Sequence, residues 1–173
     1  HNDFLDNGIK IFNEDGEKIS RDIEKRIEKH LSSELIPVET SAIGKAYRFD
    51  ESGPRYIEFC KSTVPSDISF ASLKIVLDCA NGACYKVSPE IFEELGAEVI
   101  TIGNEPDGYN INQNCGSTHP ELVKEEVIKH RADFGISLDG DGDRVILVDE
   151  KGNLLDGDDL LYILAFSNPN RTG

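Results

Sequence analysis

Residues 74–102 read KIVLDCANGACYKVSPEIFEELGAEVITI, and this stretch decides the fold. Lys74 to Leu77 begins it with an apolar, β-branched run that is typical of a buried strand. Ser88-Pro89 predicts the start of a helix and Gly96 its end, because Ser caps helices, Pro fits their first turn and Gly follows their last. Glu98 to Ile102 is the next predicted strand. Strand, helix and strand at this spacing predict a parallel β-α-β unit.

The same alternation continues toward the C-terminus. Thr118 and Glu121 have the spacing of a capping box, which predicts a helix through about His130. Two further predicted strands follow, at Ala132 to Leu138 and at Val145 to Val148. We therefore predict an α/β fold with a mixed, largely parallel sheet flanked by helices. Ligands of such folds gather beyond the carboxyl ends of the strands.

The first part of the chain follows a different pattern. Gly8 to Phe12 and Glu17 to Ile19 alternate apolar and polar residues around the turn residues Asn13 to Gly16, which predicts a β-hairpin. A helix is predicted over about Ser20 to Leu31, with Ser20 as its N-cap. Its apolar residues recur every four positions, so we expect them to form one stripe that packs on a sheet.

Three parts are predicted along the chain. Ser32 to Asp50 has no sustained periodicity and reads as a connector, with a domain boundary near Phe49. Asp156 to Phe166 predicts the opening helix of a further unit. We expect 1–48 to be the C-terminal part of one domain, 49–152 a complete domain and 153–173 the start of a third.

Charge and composition exclude several classes of partner. The chain carries 18 Lys and Arg against 33 Asp and Glu, a net charge of −15 that repels nucleic acid and anionic lipid. No stretch approaches the roughly 20 apolar residues of a membrane span. The four cysteines lack metal-type spacing and read as reduced thiols of a cytoplasmic protein. Because the sequence contains no Met, we expect it to be a segment of a longer protein.

The strongest chemical signal is Asp139-Gly140-Asp141-Gly142-Asp143-Arg144, directly after the third predicted strand. In an extended strand the outer two carboxylates would lie roughly 13 Å apart, too far for one small ion. Mg²⁺ needs oxygens at about 2.0–2.1 Å, so the backbone must curl, with Gly140 and Gly142 supplying the required φ values. Three clustered carboxylates would also repel one another without a cation. The spacing therefore favours a divalent metal held by Asp139, Asp141 and Asp143 over a solvated acidic turn.

A calcium loop of the EF-hand type is the competing interpretation. The three aspartates occupy its positions 1, 3 and 5, and Glu150 falls at position 12. Position 6 requires Gly, however, and the chain has Arg144 there, while the flanks read as strands instead of helices. Arg144 places a permanent cation beside the metal loop, which suits a phosphate. Magnesium with a phosphate is therefore favoured over calcium.

Two weaker signals lie outside the acidic loop. His1 to Lys10 combines a histidine, carboxylates and a lysine, which taken alone are ordinary surface residues. Gly103 to His119 is a long turn rich in Asn, Gly and Asp. Loops of this length are often functional, although an ordered connector has the same composition.

Together these segments resemble one family. The Asp139 to Arg144 loop resembles the metal-binding loop of the α-D-phosphohexomutase superfamily. His1-Asn2, followed by Asp6 to Lys10, resembles the stretch that comes after the phosphorylated serine of that superfamily. The bacterial phosphoglucosamine mutase branch is similar over further segments, which are Tyr56 to Lys61, Asp78 to Ala83, Pro106 to Asn112 and Cys115 to His119.

The resemblance implies an isomerase that shifts phosphate between the 6 and 1 positions of glucosamine, on the route to UDP-N-acetylglucosamine. A phosphoserine and a bisphosphorylated sugar would carry the phosphate, and one Mg²⁺ would be held by the three aspartates with a phosphoserine oxygen. Lys10 would act as general base or electrostatic partner at the sugar hydroxyl, and Arg144 would contact the phosphate. His1 would support the site beside the nucleophile. The implied partner is a phosphosugar, and the implied location is the cytoplasm.

The resemblance also implies that parts of the site lie outside this chain. The serine would precede His1, and the loops for the sugar and the distal phosphate would follow residue 173. We therefore expect the fragment to fold around residues 49–152, which would be domain two of the family, and to be inactive alone. Mannose or glucose phosphates as substrates, a calcium-binding module and a non-catalytic scaffold remain alternatives, and the oligomeric state is not indicated.

Overall fold

The computed structural model describes residues 3–6, 8, 10–34 and 36–167. The chain divides into two compact units. The smaller unit is Asn7–Phe49, and the larger one joins His1–Asp6 to Asp50–Gly173. The three-part domain assignment made from the sequence is a different division and stays a prediction.

The larger unit is built on one mixed sheet. Its described residues form five strands in the order β2-β1-β3-β4-β5. The strands are β1 (Lys74–Asp78), β2 (Glu98–Ile102), β3 (Phe134–Leu138), β4 (Val145–Asp149) and β5 (Leu154–Leu155). Strand β1 pairs in parallel with β2 and β3, whereas β4 pairs antiparallel with β3 and β5. This is the predicted α/β fold with a mixed sheet, with its antiparallel pairs at one edge.

Helices flank this sheet in the larger unit, and one helix lies in the smaller unit. They are α1 (Arg21–Leu31), α2 (Ser52–Ser62), α3 (Val87–Glu94), α4 (Glu121–His130) and α5 (Gly157–Ser167). A short 3₁₀ turn covers Thr40–Ala42. Within the described part of the chain, none of these helices has the length and apolar character needed to cross a membrane.

Alternate residues of β1 face opposite sides of the sheet and form two cores. Ile75 and Leu77 lie in one core, which Phe92 of α3 packs against. Val76 lies in the other, with Val123 and Val127 of α4. Both faces of the central strand are thus buried, which explains why its three middle residues, Ile75 to Leu77, are all apolar instead of alternating.

Helix α3 ends as predicted but begins earlier. Gly96 has a φ of 102°, and the N–H groups of Gly96 and Ala97 donate to the carbonyls of Glu93 and Phe92 at the helix end. At the other end the helix begins at Val87, so Ser88 is not its N-cap. The N–H of Ser88 already donates to the carbonyl of Cys84 at 3.0 Å, because the turn after β1 continues directly into the helix.

The capping box predicted at Thr118 and Glu121 is wrong. Helix α4 begins at Glu121 with Pro120 in the cap position, and no side chain caps it. The Thr118 hydroxyl instead forms a hydrogen bond with the His119 ring at 3.1 Å. Pro120 fixes the backbone at the helix start and has no N–H to satisfy, so the helix forms without the box.

A capping box does occur at the start of α5, where the sequence had predicted only a helical unit. The Asp156 carboxylate accepts the N–H groups of Asp158 and Asp159 at 2.9 and 3.1 Å. The Asp159 carboxylate in turn accepts the N–H of Asp156 at 3.0 Å. Aspartates here replace the Ser/Thr and Glu/Gln pair of the usual motif.

In the smaller unit, the predicted hairpin is reduced to a turn. The Asn13 side chain accepts the N–H groups of Asp15 and Glu17 at 3.0 and 2.9 Å. The described residues beside this turn form a single antiparallel bridge, between Phe12 and Lys18. Gly8 to Phe12 includes position 9, which lies outside the described residues.

Helix α1 forms where it was predicted, but its apolar stripe does not pack as expected. Ser20 occupies the N-cap position without a capping hydrogen bond from its side chain, and no residue of the helix is buried. Ile23 and Leu31 are 42% and 80% exposed. The described residues of this unit contain no strand beyond the single bridge, so they supply no sheet face for the stripe to cover.

Two buried thiols predict a loss of stability at alkaline pH. Burial, followed by the charge of Asp78, raises the pKa of Cys79 from 9.0 to about 12 and that of Cys115 from 9.0 to about 11. The unfolded chain releases these protons near pH 9, so the folded state binds more protons above that pH and becomes less stable. We expect the free energy of unfolding to fall by about 1 kcal/mol per pH unit for each thiol above roughly pH 9, measured by urea denaturation.

The control for this prediction is the double variant Cys79→Ala, Cys115→Ala. Other groups that titrate in this range are common to both proteins, so the difference between them isolates the thiols. The same alkaline loss of stability in the double variant would contradict the assignment.

Candidate metal centre

The three aspartates predicted from the sequence converge on the loop between β3 and β4. One oxygen from each of Asp139, Asp141 and Asp143 lies within 4.8 Å of the others. Gly142 turns the chain with a φ of 72°, and its N–H donates to the Asp139 carbonyl at 3.0 Å. The backbone therefore curls at Gly142 as predicted, which brings carboxylates together that an extended strand would separate by roughly 13 Å.

Gly140 has a different role from the predicted one. Its φ is not in the positive region. A Cβ at this position would lie 2.7 Å from the Ile111 side chain and 2.8 Å from the Asn112 amide nitrogen. Glycine at residue 140 lets the Ile111 and Asn112 side chains of the loop of residues 103–119 pack directly on its backbone.

The turn after β1 holds the acidic loop from another direction. The N–H of Ala83 donates to the Gly140 carbonyl at 2.8 Å. A Cβ on Gly82 would overlap that same carbonyl, and a Cβ on Gly142 would meet the Cys84 sulfur. The acidic loop is thus packed at van der Waals contact against two other segments.

The three carboxylates differ in exposure. Asp139 is fully buried, while Asp141 and Asp143 are exposed. The Asp139 carboxylate accepts the backbone N–H of Arg144 at 3.1 Å. Desolvation, followed by the negative charges of Asp141 and Asp139, raises the pKa of Asp143. The site therefore has an excess of negative charge that a cation would relieve.

The donor set fits a hard divalent cation. In an octahedral magnesium site, neighbouring oxygens lie about 3 Å apart and opposite ones about 4.2 Å, so the three carboxylates, whose oxygens lie within 4.8 Å of one another, would draw closer together on binding one ion. Carboxylate oxygens are the ligands that Mg²⁺ and Ca²⁺ prefer. The loop joins two antiparallel strands, whereas an EF-hand loop joins two helices, so the flanks of the calcium motif are missing here.

The chain also matches a family of known proteins. Residues 54–152 fit the family described as phosphoglucomutase/phosphomannomutase, alpha/beta/alpha domain II, and they make up more than half of the chain. The chain belongs to the phosphoglucomutase/phosphomannomutase family. The matched region contains the whole acidic loop and both segments that pack against it.

Two curated relatives within this family are phosphoglucosamine mutases. The protein from Legionella pneumophila (strain Lens) is 58% identical over 165 residues, which cover 95% of this chain and 36% of that protein. The protein from Acinetobacter baumannii (strain AYE) is 52% identical over 171 residues, which cover 99% of this chain and 38% of that protein. The chain therefore spans little more than a third of the length of these relatives.

Solved structures of family members have the same architecture. A phosphoglucomutase/phosphomannomutase family protein from Burkholderia thailandensis superposes with a TM-score of 0.56 at 28% identity, over 65% of this chain and 25% of that one. A candidate phosphomannomutase from Thermus thermophilus superposes with a TM-score of 0.62 at 23% identity, over 87% of this chain and 35% of that one. At this lower identity, the second comparison supports the fold alone.

Three further residues were predicted for the phosphohexomutase site. Arg144 is exposed and follows the triad in the same loop. Lys10 is exposed and belongs to the smaller unit. His1 lies outside the described residues. The roles of these three residues stay predictions, as does metal binding by the triad.

Sequence reasoning missed Asp78 at the end of β1. Its carboxylate is fully buried and accepts hydrogen bonds from the N–H groups of Ala80 and Gly116 at 2.9 and 2.6 Å, and from the Ser137 hydroxyl at 3.3 Å. Burial raises the pKa of Asp78, and these hydrogen bonds offset part of the rise. The available signal was a carboxylate that directly follows an apolar run.

The long loop of residues 103–119 packs on the site in this family member. Asn81, with a φ of 49°, accepts the N–H of Glu105 at 3.1 Å and donates to the Asn110 carbonyl at 3.3 Å. The N–H of Asn112 donates to the Ala80 carbonyl at 2.8 Å. The loop is therefore an ordered element that supports the acidic loop, and a direct role in binding stays a prediction.

Close packing at Gly82 predicts a sharp response to an added methyl group. We expect Gly82→Ala to lower the free energy of unfolding by about 2 kcal/mol, the usual cost of overpacking, because its Cβ would overlap the Gly140 carbonyl. The displaced loop would also lose the hydrogen bond between Ala83 and Gly140. Urea denaturation of the variant measures this loss.

Gly53→Ala is the matched control for this substitution. Gly53 lies in α2, and a Cβ there would meet nothing within 4 Å. We expect this variant to keep or slightly increase stability, because Ala is favoured over Gly within a helix by about 0.5–1 kcal/mol. Equal losses in the two variants would show that the packing at Gly82 is not specific.

Proposed function

We propose that this chain is the metal-binding segment of a phosphoglucosamine mutase, which interconverts glucosamine 6-phosphate and glucosamine 1-phosphate. The observation that carries the proposal is the convergence of three carboxylates on one curled loop that ends in Arg144. Identity of 52–58% to the two phosphoglucosamine mutases supports this branch of the family over the others.

Asp139, Asp141 and Asp143 would hold one Mg²⁺, and an oxygen of a phosphoserine, proposed to come just before His1, would complete the protein ligands. When bound, the ion would stabilise the negative charge on the transferring phosphoryl group. Asp139 is buried and its carboxylate accepts the backbone N–H of Arg144, so this ligand would be held in a fixed position. The two exposed aspartates leave their oxygens accessible to an ion from solvent.

The other predicted residues have distinct roles in this reaction. Phosphoserine donates its phosphoryl group to one sugar hydroxyl, and Lys10 either accepts the proton of that hydroxyl or stabilises the negative charge that develops on its oxygen. The bisphosphorylated sugar reorients, and its other phosphoryl group returns to the serine. Arg144 contacts the phosphate through its guanidinium group, and His1 supports the nucleophile. The product would supply UDP-N-acetylglucosamine for cell-wall synthesis in the cytoplasm.

Charge-matched substitutions test the metal site. We expect Asp141→Asn to weaken Mg²⁺ binding by at least about tenfold, because a neutral amide replaces an ionised ligand. Asp67→Asn is the control, since it removes the same charge at an exposed position outside the triad. Competition against Mn²⁺, followed by electron paramagnetic resonance, gives both affinities.

The same titration separates magnesium from the calcium alternative. We expect Mg²⁺ and Mn²⁺ to compete for one site that depends on Asp141. A site that selects Ca²⁺ over Mg²⁺, or equal affinities in Asp141→Asn and Asp67→Asn, would overturn the proposed metal site.

Turnover tests the proposed reaction. We expect the 173-residue chain alone to be inactive, because the nucleophile and the sugar-binding loops would lie outside it. A full-length mutase that contains this chain should convert glucosamine 6-phosphate in preference to glucose and mannose phosphates, and should lose activity with a chelator. Activity of the chain alone would contradict the first expectation, and preference for another sugar would contradict the second.

A further inference from the structure

Asp78 is a buried carboxylate at the carboxyl end of β1, outside the acidic triad. It is fully buried. Buried carboxylates are usually paired with a cation or held by several donors. Here the donors are two backbone N–H groups and one hydroxyl, from Ala80, Gly116 and Ser137.

These three donors belong to three different segments. Ala80 lies in the turn after β1, Gly116 lies in the loop of residues 103–119, and Ser137 lies in β3. The Asp78 carboxylate therefore connects the carboxyl end of β1 with three other segments, namely the turn after β1, the loop of residues 103–119 and β3. The turn and the long loop pack on the acidic loop, and β3 leads into the acidic loop.

Each of the two packing segments is bonded to the backbone around the triad. The turn donates the Ala83 N–H to the Gly140 carbonyl at 2.8 Å. The long loop donates the Ser117 N–H to the Leu138 carbonyl at 2.9 Å. Asp139 lies between these two acceptors, so the position of its carboxylate depends on both segments.

The space around Asp78 leaves little freedom for either segment to shift. A Cβ on Gly103 would lie 2.7 Å from an oxygen of the Asp78 carboxylate. A Cβ on Gly116 would lie 2.7 Å from the Ala80 methyl group and 2.9 Å from the Leu138 carbonyl. The Asp78 side chain therefore lies in closely packed surroundings, where a change in its hydrogen bonds acts on both segments.

We propose that Asp78 is a positioning residue for the acidic triad, because its carboxylate holds the two packing segments at the spacing at which the three aspartates converge. Asp78 acts on the metal without touching it. The inference rests on the proposed function in one respect, which is that the triad binds a divalent cation. Substitution of residues that orient metal ligands typically costs about 10–100-fold in affinity.

The geometry around Asp78 requires an acceptor on both sides of the side chain. One carboxylate oxygen accepts the N–H of Ala80 and the other accepts the N–H of Gly116. In Asp78→Asn the amide NH₂ would face either the N–H of Ala80 or the N–H of Gly116. One backbone donor would then be left buried without an acceptor, and its segment would move away.

The test compares Asp78→Asn with Val127→Ala in the 173-residue chain. Val127 is fully buried in the core between α4 and the sheet, so its truncation lowers stability without touching either packing segment. We expect Asp78→Asn to weaken Mn²⁺ binding about tenfold or more, while Val127→Ala stays within about twofold of the original chain. Ser137→Ala, which removes only one of the three donors, should give a smaller loss in the same direction.

Amide hydrogen exchange supplies a readout that needs no metal. We expect the amides of Ala83 and Ser117 to lose protection in Asp78→Asn and to keep it in Val127→Ala. Equal Mn²⁺ affinities in the two variants, or unchanged protection of both amides in Asp78→Asn, would overturn the inference and leave the proposed function intact. A chain whose Mn²⁺ binding is unaffected by Asp141→Asn would instead overturn the proposed metal site, and the inference with it.

Discussion

Three negative charges lie within 4.8 Å of one another on a single short loop, and the surrounding backbone has to hold them there. At this separation each pair of charges repels by about 1 kcal/mol in water and by roughly 3 kcal/mol near a protein surface. The loop keeps its curl because Gly142 closes it on Asp139 and because the Gly140 carbonyl accepts the N–H of Ala83. Without a cation the three carboxylates repel one another. A divalent cation bound between them would attract all three.

The sheet brings the supporting segments to one place. Strands β1, β2 and β3 are parallel neighbours, and Asp78 at the end of β1 is in register with Ile102 of β2 and Ser137 of β3. The segments that follow these three strands therefore leave the sheet at the same edge, as in other parallel α/β folds. The segment after β3 carries the acidic triad. The segments after β1 and β2 pack on that acidic loop at glycine positions.

Local patterns predicted the fold and the triad well, and failed where a feature depends on distant packing. The apolar run of β1, the glycine that ends α3 and the Asp139 to Asp143 spacing are each encoded within a few residues. The role of glycine at residue 140 depends instead on contact with Ile111 and Asn112, which are almost thirty positions away. Asp78 was missed for the same reason, since two of its three donors come from Gly116 and Ser137, segments distant in sequence.

Charge balance connects the triad to the proposed substrate. Before the phosphoserine is counted, the charges of three carboxylates, one divalent ion and the Arg144 guanidinium sum to zero, so this loop alone would neither attract nor repel a phosphosugar strongly. The net charge of −15 on the whole chain would still oppose an anionic ligand. A cation placed close to the phosphate would still attract it locally, and Arg144 is the residue of this chain that is proposed to contact it. The metal loop would therefore contribute stabilisation of the transferring group more than affinity for the substrate, which is the division of labour expected when phosphoryl transfer is catalysed by positioning and electrostatics.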